Sequence, residues 1–419
     1  MASQPLVFPS SLGLLGGDEV QTLVKFVNVP SPHQGAFSKL PCLAPGGKGG
    51  RRPGQPALGD PTLAGKRLLA RSTFGIHKFI MNLQPLTGAI LGAGNMGSCL
   101  AQAFHKVPGL SVKYVYSRTL PHAQSLARQV RAEPVDHVDR IFADGEVDIV
   151  VVCLPTHTRL ETLKRAIRTK KHIFCEKPLA LNKTMADEIG GLLKGYSMTV
   201  MVGQVLRFFW EYRRLREMIQ SGAVGQVGTI RLSRCVGYPG AGSWFGDPEK
   251  SGGVILDLLI HDIDFLLWTF GEIKQVYARS LTYTQQGKLD YALLNIQMES
   301  GALAHLEGSW SHPVGSFQQT AEICGSHGML SYDNLSCKSL EWVPTAELEK
   351  QLTSRISLPE TNDSHNPYFS EVSHFVDCVR NHRIPDVTYE EALRSCGVAF
   401  MAIESAKLGV PLQSGQPAG

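Results

Sequence analysis

Apolar residues follow two rhythms along this chain. Between about residues 87 and 180, short runs in which nearly every position is apolar alternate with segments whose apolar residues recur every three or four positions. The runs are 87–92, 111–116, 147–154 and 171–175; helical spacing follows at Leu100, Ala101 and Phe104, and again from Arg159 to Thr169. A short continuous apolar run fits a strand covered on both faces, so this alternation predicts a doubly wound parallel sheet. Beyond about Gly203 the rhythm changes to period two, in Thr229–Cys235, Gln275–Tyr283, Tyr291–Glu299, Ala302–Ser309 and Thr320–Cys324. These segments predict an open, mainly antiparallel sheet. Tyr332 to Pro367 is polar and aperiodic and reads as surface, while Tyr368–Arg380 and Tyr389–Lys407 are amphipathic helices that pack back on the body.

One stretch breaks its own pattern. Residues 251–264 are apolar enough for a buried helix, yet Asp257 and His261 interrupt them four positions apart, which on a helix sets a carboxylate and an imidazole on one face. A solvated face or a local acid–imidazole pair is the favoured explanation of an isolated spacing of this kind, so its meaning depends on the rest of the chain.

The first eighty residues show neither rhythm and are rich in Gly and Pro. They are expected to form a disordered leader (1–80), with the native start at Met81. The expected domains are 81–203, 204–367, the helical return 368–413 and a tail, 414–419.

With 43% hydrophobic and 19% charged residues over 419 positions, the chain is globular and long enough for two cores. A net charge of +4, much of it in the leader, is too weak to imply nucleic acid; a small molecule fits better. The nine cysteines are scattered, with no C-x-x-C pair, which predicts a reduced, cytoplasmic setting and no metal site. The most apolar stretch, 254–270, carries Asp257, His261, Asp262 and Asp264 in its interior, so no membrane span is expected.

The first apolar run leads directly into Gly92, Gly94, Asn95, Met96 and Gly97, and a helical pattern follows. Strand, glycines and helix in that order make a pyrophosphate site: Gly92 for the turn, Gly94 for close backbone approach, Gly97 for packing of helix on strand, with helix N–H groups facing the anion. The expected class is therefore an α/β Rossmann dinucleotide-binding domain followed by an α+β domain. The second run ends at Ser117 and Arg118 without the acid that would hold a ribose diol. NAD or NADP is the expected cofactor, with Arg118 favouring NADP unless it stacks on adenine or faces solvent.

The fourth run ends in Glu176-Lys177-Pro178. This triplet, the glycine loop before it and Gly252-Gly253 with Asp257, His261 and Asp262 after it resemble the Gfo/Idh/MocA oxidoreductases (glucose-fructose oxidoreductase and inositol dehydrogenase types). The resemblance spans about residues 86–413 and includes Arg207-Phe208, Trp244-Phe245, Gly308-Ser309-Trp310 and Gly325-Ser326. Two positions depart from it. Arg159 stands where members often carry His, and Leu259 where many carry Gly.

Dehydrogenation of an alcohol needs a hydride acceptor, a base and a group that stabilises the developing oxyanion. His261 is the expected base, Asp257 its orienting acid or a hydroxyl ligand, and Lys177, at a strand's carboxyl end, the substrate-oxygen ligand. The resemblance implies the same Lys, Asp and His as catalytic set and places Glu176 and Pro178 beside the nicotinamide. The expected cofactor contacts are Gly92, Gly94, Asn95, Met96, Gly97, Ser117, Arg118, Pro155, Thr156, Glu176 and Lys177. Arg207, Trp244, Asp257 and His261 are the expected substrate contacts, with Phe245 and Asp262 as further candidates for the pocket. By resemblance the substrate is a cyclic polyol or sugar, and the second sheet supports a homo-oligomer, dimer or tetramer. A redox-neutral NAD-dependent glycosidase and a silent dinucleotide sensor are the alternatives.

Overall fold

Six short strands make the first sheet, in the order β3-β2-β1-β4-β5-β6 and all parallel. They are β1 (Leu86–Leu91), β2 (Leu110–Tyr116), β3 (Glu133–Val135), β4 (Ile149–Val152), β5 (His172–Glu176) and β6 (Val200–Gly203). This computed structural model describes residues 84–239, 244–281, 290–313, 315–336, 340–344 and 366–414. The expected leader and its start at Met81 lie outside them, as do the tail from 415 onward and the end of the strand expected to reach Tyr283.

All four residues of β4 are buried, because helices cover both faces of the sheet. The helices are α1 (Asn95–Lys106), α2 (Leu120–Val130), α3 (Asp139–Ala143), α4 (Arg159–Arg168) and α5 (Lys183–Leu193). The strand order reverses direction between β1 and β4, and at such a switch point the carboxyl ends of the strands leave a crevice for a ligand. β3 and β6 were not expected: each is only three or four residues long, too short to declare a period.

The second sheet has eight strands, ordered β13-β12-β11-β7-β10-β9-β8-β14. They are β7 (Val227–Gly237), β8 (Ile273–Leu281), β9 (Tyr291–Met298), β10 (Leu303–His312), β11 (Phe317–Gly325), β12 (Gly328–Asp333), β13 (Leu340–Pro344) and β14 (Leu412–Gln413). Every pairing is antiparallel except β7 with β10. β13 is a correction to the expected irregular stretch from Tyr332: its short run pairs with β12 and is recognisable only through that partner.

Between the sheets lie α6 (Trp210–Gln220), a short helix α7 (Pro248–Ser251), a π-helical turn (Val254–Leu258) and α8 (Ile260–Phe270). The chain then returns through α9 (Pro367–Asn381) and α10 (Tyr389–Leu408), the latter opened by a Thr388/Glu391 capping box. Phe375 of α9 packs edge-to-face on Phe104 of α1 and Phe174 of β5, so the returning helix covers the first sheet. No helix among the described residues is long and apolar enough to cross a membrane.

Candidate active site

The glycine loop forms as its residues dictate. Gly92 has φ +115°, and a Cβ there would lie 2.7 Å from the Cys153 carbonyl oxygen of the neighbouring strand end. A Cβ on Gly97 would collide with the Gly92 carbonyl, whereas one on Gly94 would meet nothing. Two glycines thus press the helix onto the sheet and the third leaves its approach open. Gly94 caps α1 without a side-chain hydrogen bond, so the amides of the Asn95–Met96 turn remain available to an anion. This cradle fits a dinucleotide pyrophosphate. Arg118 is exposed at the end of β2, beside the half-buried Ser117.

Across the switch point, β4 ends near Pro155 and a fully buried Thr156 whose hydroxyl has no partner. β5 ends in Glu176, which is 4% exposed, and the Lys177–Pro178 peptide is cis. The buried Arg159 knits these two ends together. Its guanidinium donates to the carbonyls of Leu154 (2.8 Å), Glu176 and Pro178, the last two flanking Lys177. The cation also opposes burial, which pushes the Glu176 carboxyl up while Lys177 and Arg159 pull it down.

The opposite wall is the interrupted stretch. Gly252 and Gly253 both take positive φ, +76° and +67°, and a Cβ on Gly252 would run into Leu256. Ser251 Oγ anchors the turn by donating to the carbonyls of Phe245 (2.9 Å) and Asp247 (3.1 Å). A continuous α-helix was expected here; instead one π-turn carries Asp257 and α8 begins only at Ile260. Leu259 at the junction lies against Gly308 of β10, where a Cβ would come within 2.7 Å of it, so a strand glycine makes room for this side chain.

Asp257 does not serve His261 as an orienting partner. Its backbone carbonyl accepts from Lys177 Nζ at 2.6 Å and its carboxylate lies 3.4 Å from the same ammonium. His261 is partly exposed, but its Nδ1 is buried and without a partner. Burial, reinforced by the charges of Lys177 and Arg234, holds the imidazole well below the usual histidine range.

Of the remaining expected residues, Trp244 lies on the rim, stacked on Phe245 with centroids 4.0 Å apart and 6.4 Å from the His157 ring beyond β4. Arg207 is a correction: it is 2% exposed, bidentate to Asp264 (2.8 Å to each oxygen) and bonded to the Asp386 carbonyl and Glu391. Four of its five donors are thus spent inside the protein. Asp262 is likewise enclosed, paired with Arg234 at 2.7 and 3.0 Å. Both acids belong to buried ion pairs, because neither charge could be buried alone. Two residues at this edge escaped sequence reasoning. Arg159 appeared only as a departure, and Glu371 of α9 sits at an apolar-stripe position without any motif.

The strand order, the glycine cradle and the lysine, aspartate and histidine at the carboxyl edge define a two-domain protein of the dinucleotide-dependent oxidoreductase class. Residues 86–204 match the oxidoreductase family with an NAD-binding Rossmann fold, and residues 212–331 match the GFO/IDH/MocA C-terminal domain. The chain belongs to this Gfo/Idh/MocA family and is an NAD-binding oxidoreductase. An inositol 2-dehydrogenase of Rhizobium meliloti is 30% identical over 262 residues, 60% of this chain and 77% of that protein. A scyllo-inositol 2-dehydrogenase (NAD(+)) of Bacillus subtilis is 29% identical over 335 residues, 78% of this chain and 95% of that one. A myo-inositol dehydrogenase from Corynebacterium glutamicum shares the fold, with a TM-score of 0.67 at 24% identity, over 80% of this chain and 100% of that structure.

Proposed function

We propose that this protein oxidises a CH–OH group of a cyclic polyol or sugar, or reduces the matching carbonyl, with Lys177, Asp257 and His261 as the reacting set. The observation that carries the reading is the Lys177–Asp257 contact across the crevice, beside a neutral His261 whose buried nitrogen is uncommitted. The inositol dehydrogenases among its relatives support the substrate class.

A nicotinamide bound with its pyrophosphate on Gly92–Gly97 supplies the hydride acceptor. His261 takes the hydroxyl proton, a role open to it because the imidazole is held neutral. The Lys177 ammonium stabilises the oxygen as negative charge develops, and Asp257 holds that ammonium in place. Trp244 offers an aromatic wall to a ring. The lack of an acid at Ser117-Arg118, where one would select NAD, supports acceptance of the 2′-phosphate of NADP. Exposed Leu303, Phe317 and Val343 on the second sheet support a homo-oligomer.

The test is a spectrophotometric screen of polyols and aldoses with NAD and NADP in parallel, on the wild type and on Lys177→Ala and His261→Ala. Net accumulation of reduced cofactor with a polyol is expected, lost by about 10²–10⁴-fold in each variant while cofactor affinity changes little. Near-normal turnover in both variants overturns the assignment. Product formation without net cofactor reduction indicates redox-neutral chemistry instead.

A further inference from the structure

Three elements meet behind the crevice in a way that singles out an acid the reaction above does not use. Phe104 of α1, Phe174 of β5 and Phe375 of α9 form an edge-to-face triangle with centroids 6.1, 5.6 and 6.3 Å apart, fixing the elements in register. One layer nearer the carboxyl edge, each contributes a titratable residue. Glu176 is two positions beyond Phe174 and so on the same face of β5, and Glu371 is one turn before Phe375 on α9. Cys99 lies in the early turns of α1, whose later turns carry Phe104. The Glu176 carboxyl lies over Gly203, where a Cβ would come within 3.3 Å of it.

Glu371 is fully buried, and neither of its carboxyl oxygens has a hydrogen-bond partner. Glu176, Cys99 and Tyr368, which is one turn earlier on α9, are the titratable groups that face it. Glu176 faces Lys177, Arg159, Asp257, Cys99, Cys153, Cys175, Tyr368 and Glu371, and so has cations that Glu371 lacks. Two carboxyl groups in one buried layer do not both ionise unless a further positive charge enters it. The cations assign the negative charge to Glu176 and leave the proton on Glu371.

We propose that Glu371 is a specificity-determining residue that couples cofactor redox state to one proton: it releases its proton when the positively charged oxidised nicotinamide binds and keeps it when the neutral reduced ring binds. The step is Glu371–COOH to Glu371–COO⁻ plus a proton delivered to solvent; no electrons move. It rests on the reading that nicotinamide lies at the carboxyl ends of β4 and β5. Burial and the charge of Glu176 raise the Glu371 carboxyl well above the ordinary range, so the proton is there to be released. The sign follows from linkage: a ligand that favours the ionised acid binds more tightly as pH rises. Affinity for the oxidised form relative to the reduced form therefore rises with pH, by at most about tenfold per pH unit for one proton.

Calorimetric titration of the full chain with NAD⁺ and NADH, and with the NADP pair, in buffers of different ionisation enthalpy counts the protons. Release is expected with the oxidised form alone. Glu371→Gln should bind both forms with no difference in proton count and a flat affinity ratio across pH. Glu371→Met is the second variant should the amide impair folding, and the same loss is expected. Equal release with both redox forms, or release that persists in either variant, overturns the proposal. Because binding is read without substrate, failure to oxidise any polyol overturns the proposed reaction and not this coupling. Failure of the wild type to bind any of the four nucleotides overturns both.

Discussion

Lys177 Nζ lies 2.6 Å from the backbone carbonyl oxygen of Asp257 and 3.4 Å from its carboxylate, joining the end of β5 to the π-turn of the second half. The carbonyl fixes the position of the ammonium, and the carboxylate supplies the opposing charge. Asp257→Asn keeps the first contact and removes the negative charge from the second. A hydrogen bond to a charged group contributes roughly 1.5–3 kcal/mol, so turnover should fall about ten- to a hundredfold with cofactor affinity nearly unchanged. Steady-state kinetics beside fluorescence titration of the cofactor checks this split.

With His261 as the proposed base, its titration should set the acid side of the pH profile. Its depressed pKa extends the neutral, proton-accepting form to lower pH, so kcat/KM should hold its plateau below pH 6.5, the ordinary histidine value. Lys177→Ala removes one of the two charges that depress it, and the ring resonances of His261, followed by NMR, should then titrate at higher pH. The same depression links to stability. Below the unfolded value the unfolded chain binds the extra proton, so stability declines as pH falls, and His261→Asn should soften that decline in thermal melts.

Arg207 tests structure against binding. Arg207→Leu strands the buried Asp264 carboxylate and should cost about 3–5 kcal/mol, whereas the double change Arg207→Leu with Asp264→Leu should recover much of it. Denaturant unfolding of the two proteins measures the difference. A role in the substrate pocket would instead raise KM at undiminished stability.

Leu259 and Gly308 should behave as one unit. Gly308→Ala drives a methyl group into Leu259 and Val254 and is expected to cost about 1–3 kcal/mol. Leu259→Ala beside it should relieve part of that cost, giving a non-additive cycle in thermal or chemical unfolding.

The amino-acid sequence by itself determined the two-domain order, the doubly wound sheet and the glycine cradle, and it singled out Lys177, Asp257 and His261, the proposed reacting set. Each of these is written locally: in continuous apolar runs, in glycines where a Cβ has no room, and in polar residues set inside apolar stretches. What depends on partners distant in the chain was decided only by the fold. Arg207 and Asp262 resemble pocket residues until Asp264 and Arg234 are seen to bury their charges with them. Asp257 reads as the partner of His261 at helical spacing until the π-turn hands it to Lys177, eighty positions earlier. Glu371 carries no motif at all; it became visible when Phe375 set its helix against β5 and left a buried carboxyl group facing Glu176. A side chain's chemistry is local, but whether its charge meets water, a counter-ion or another acid is fixed by elements far away in sequence.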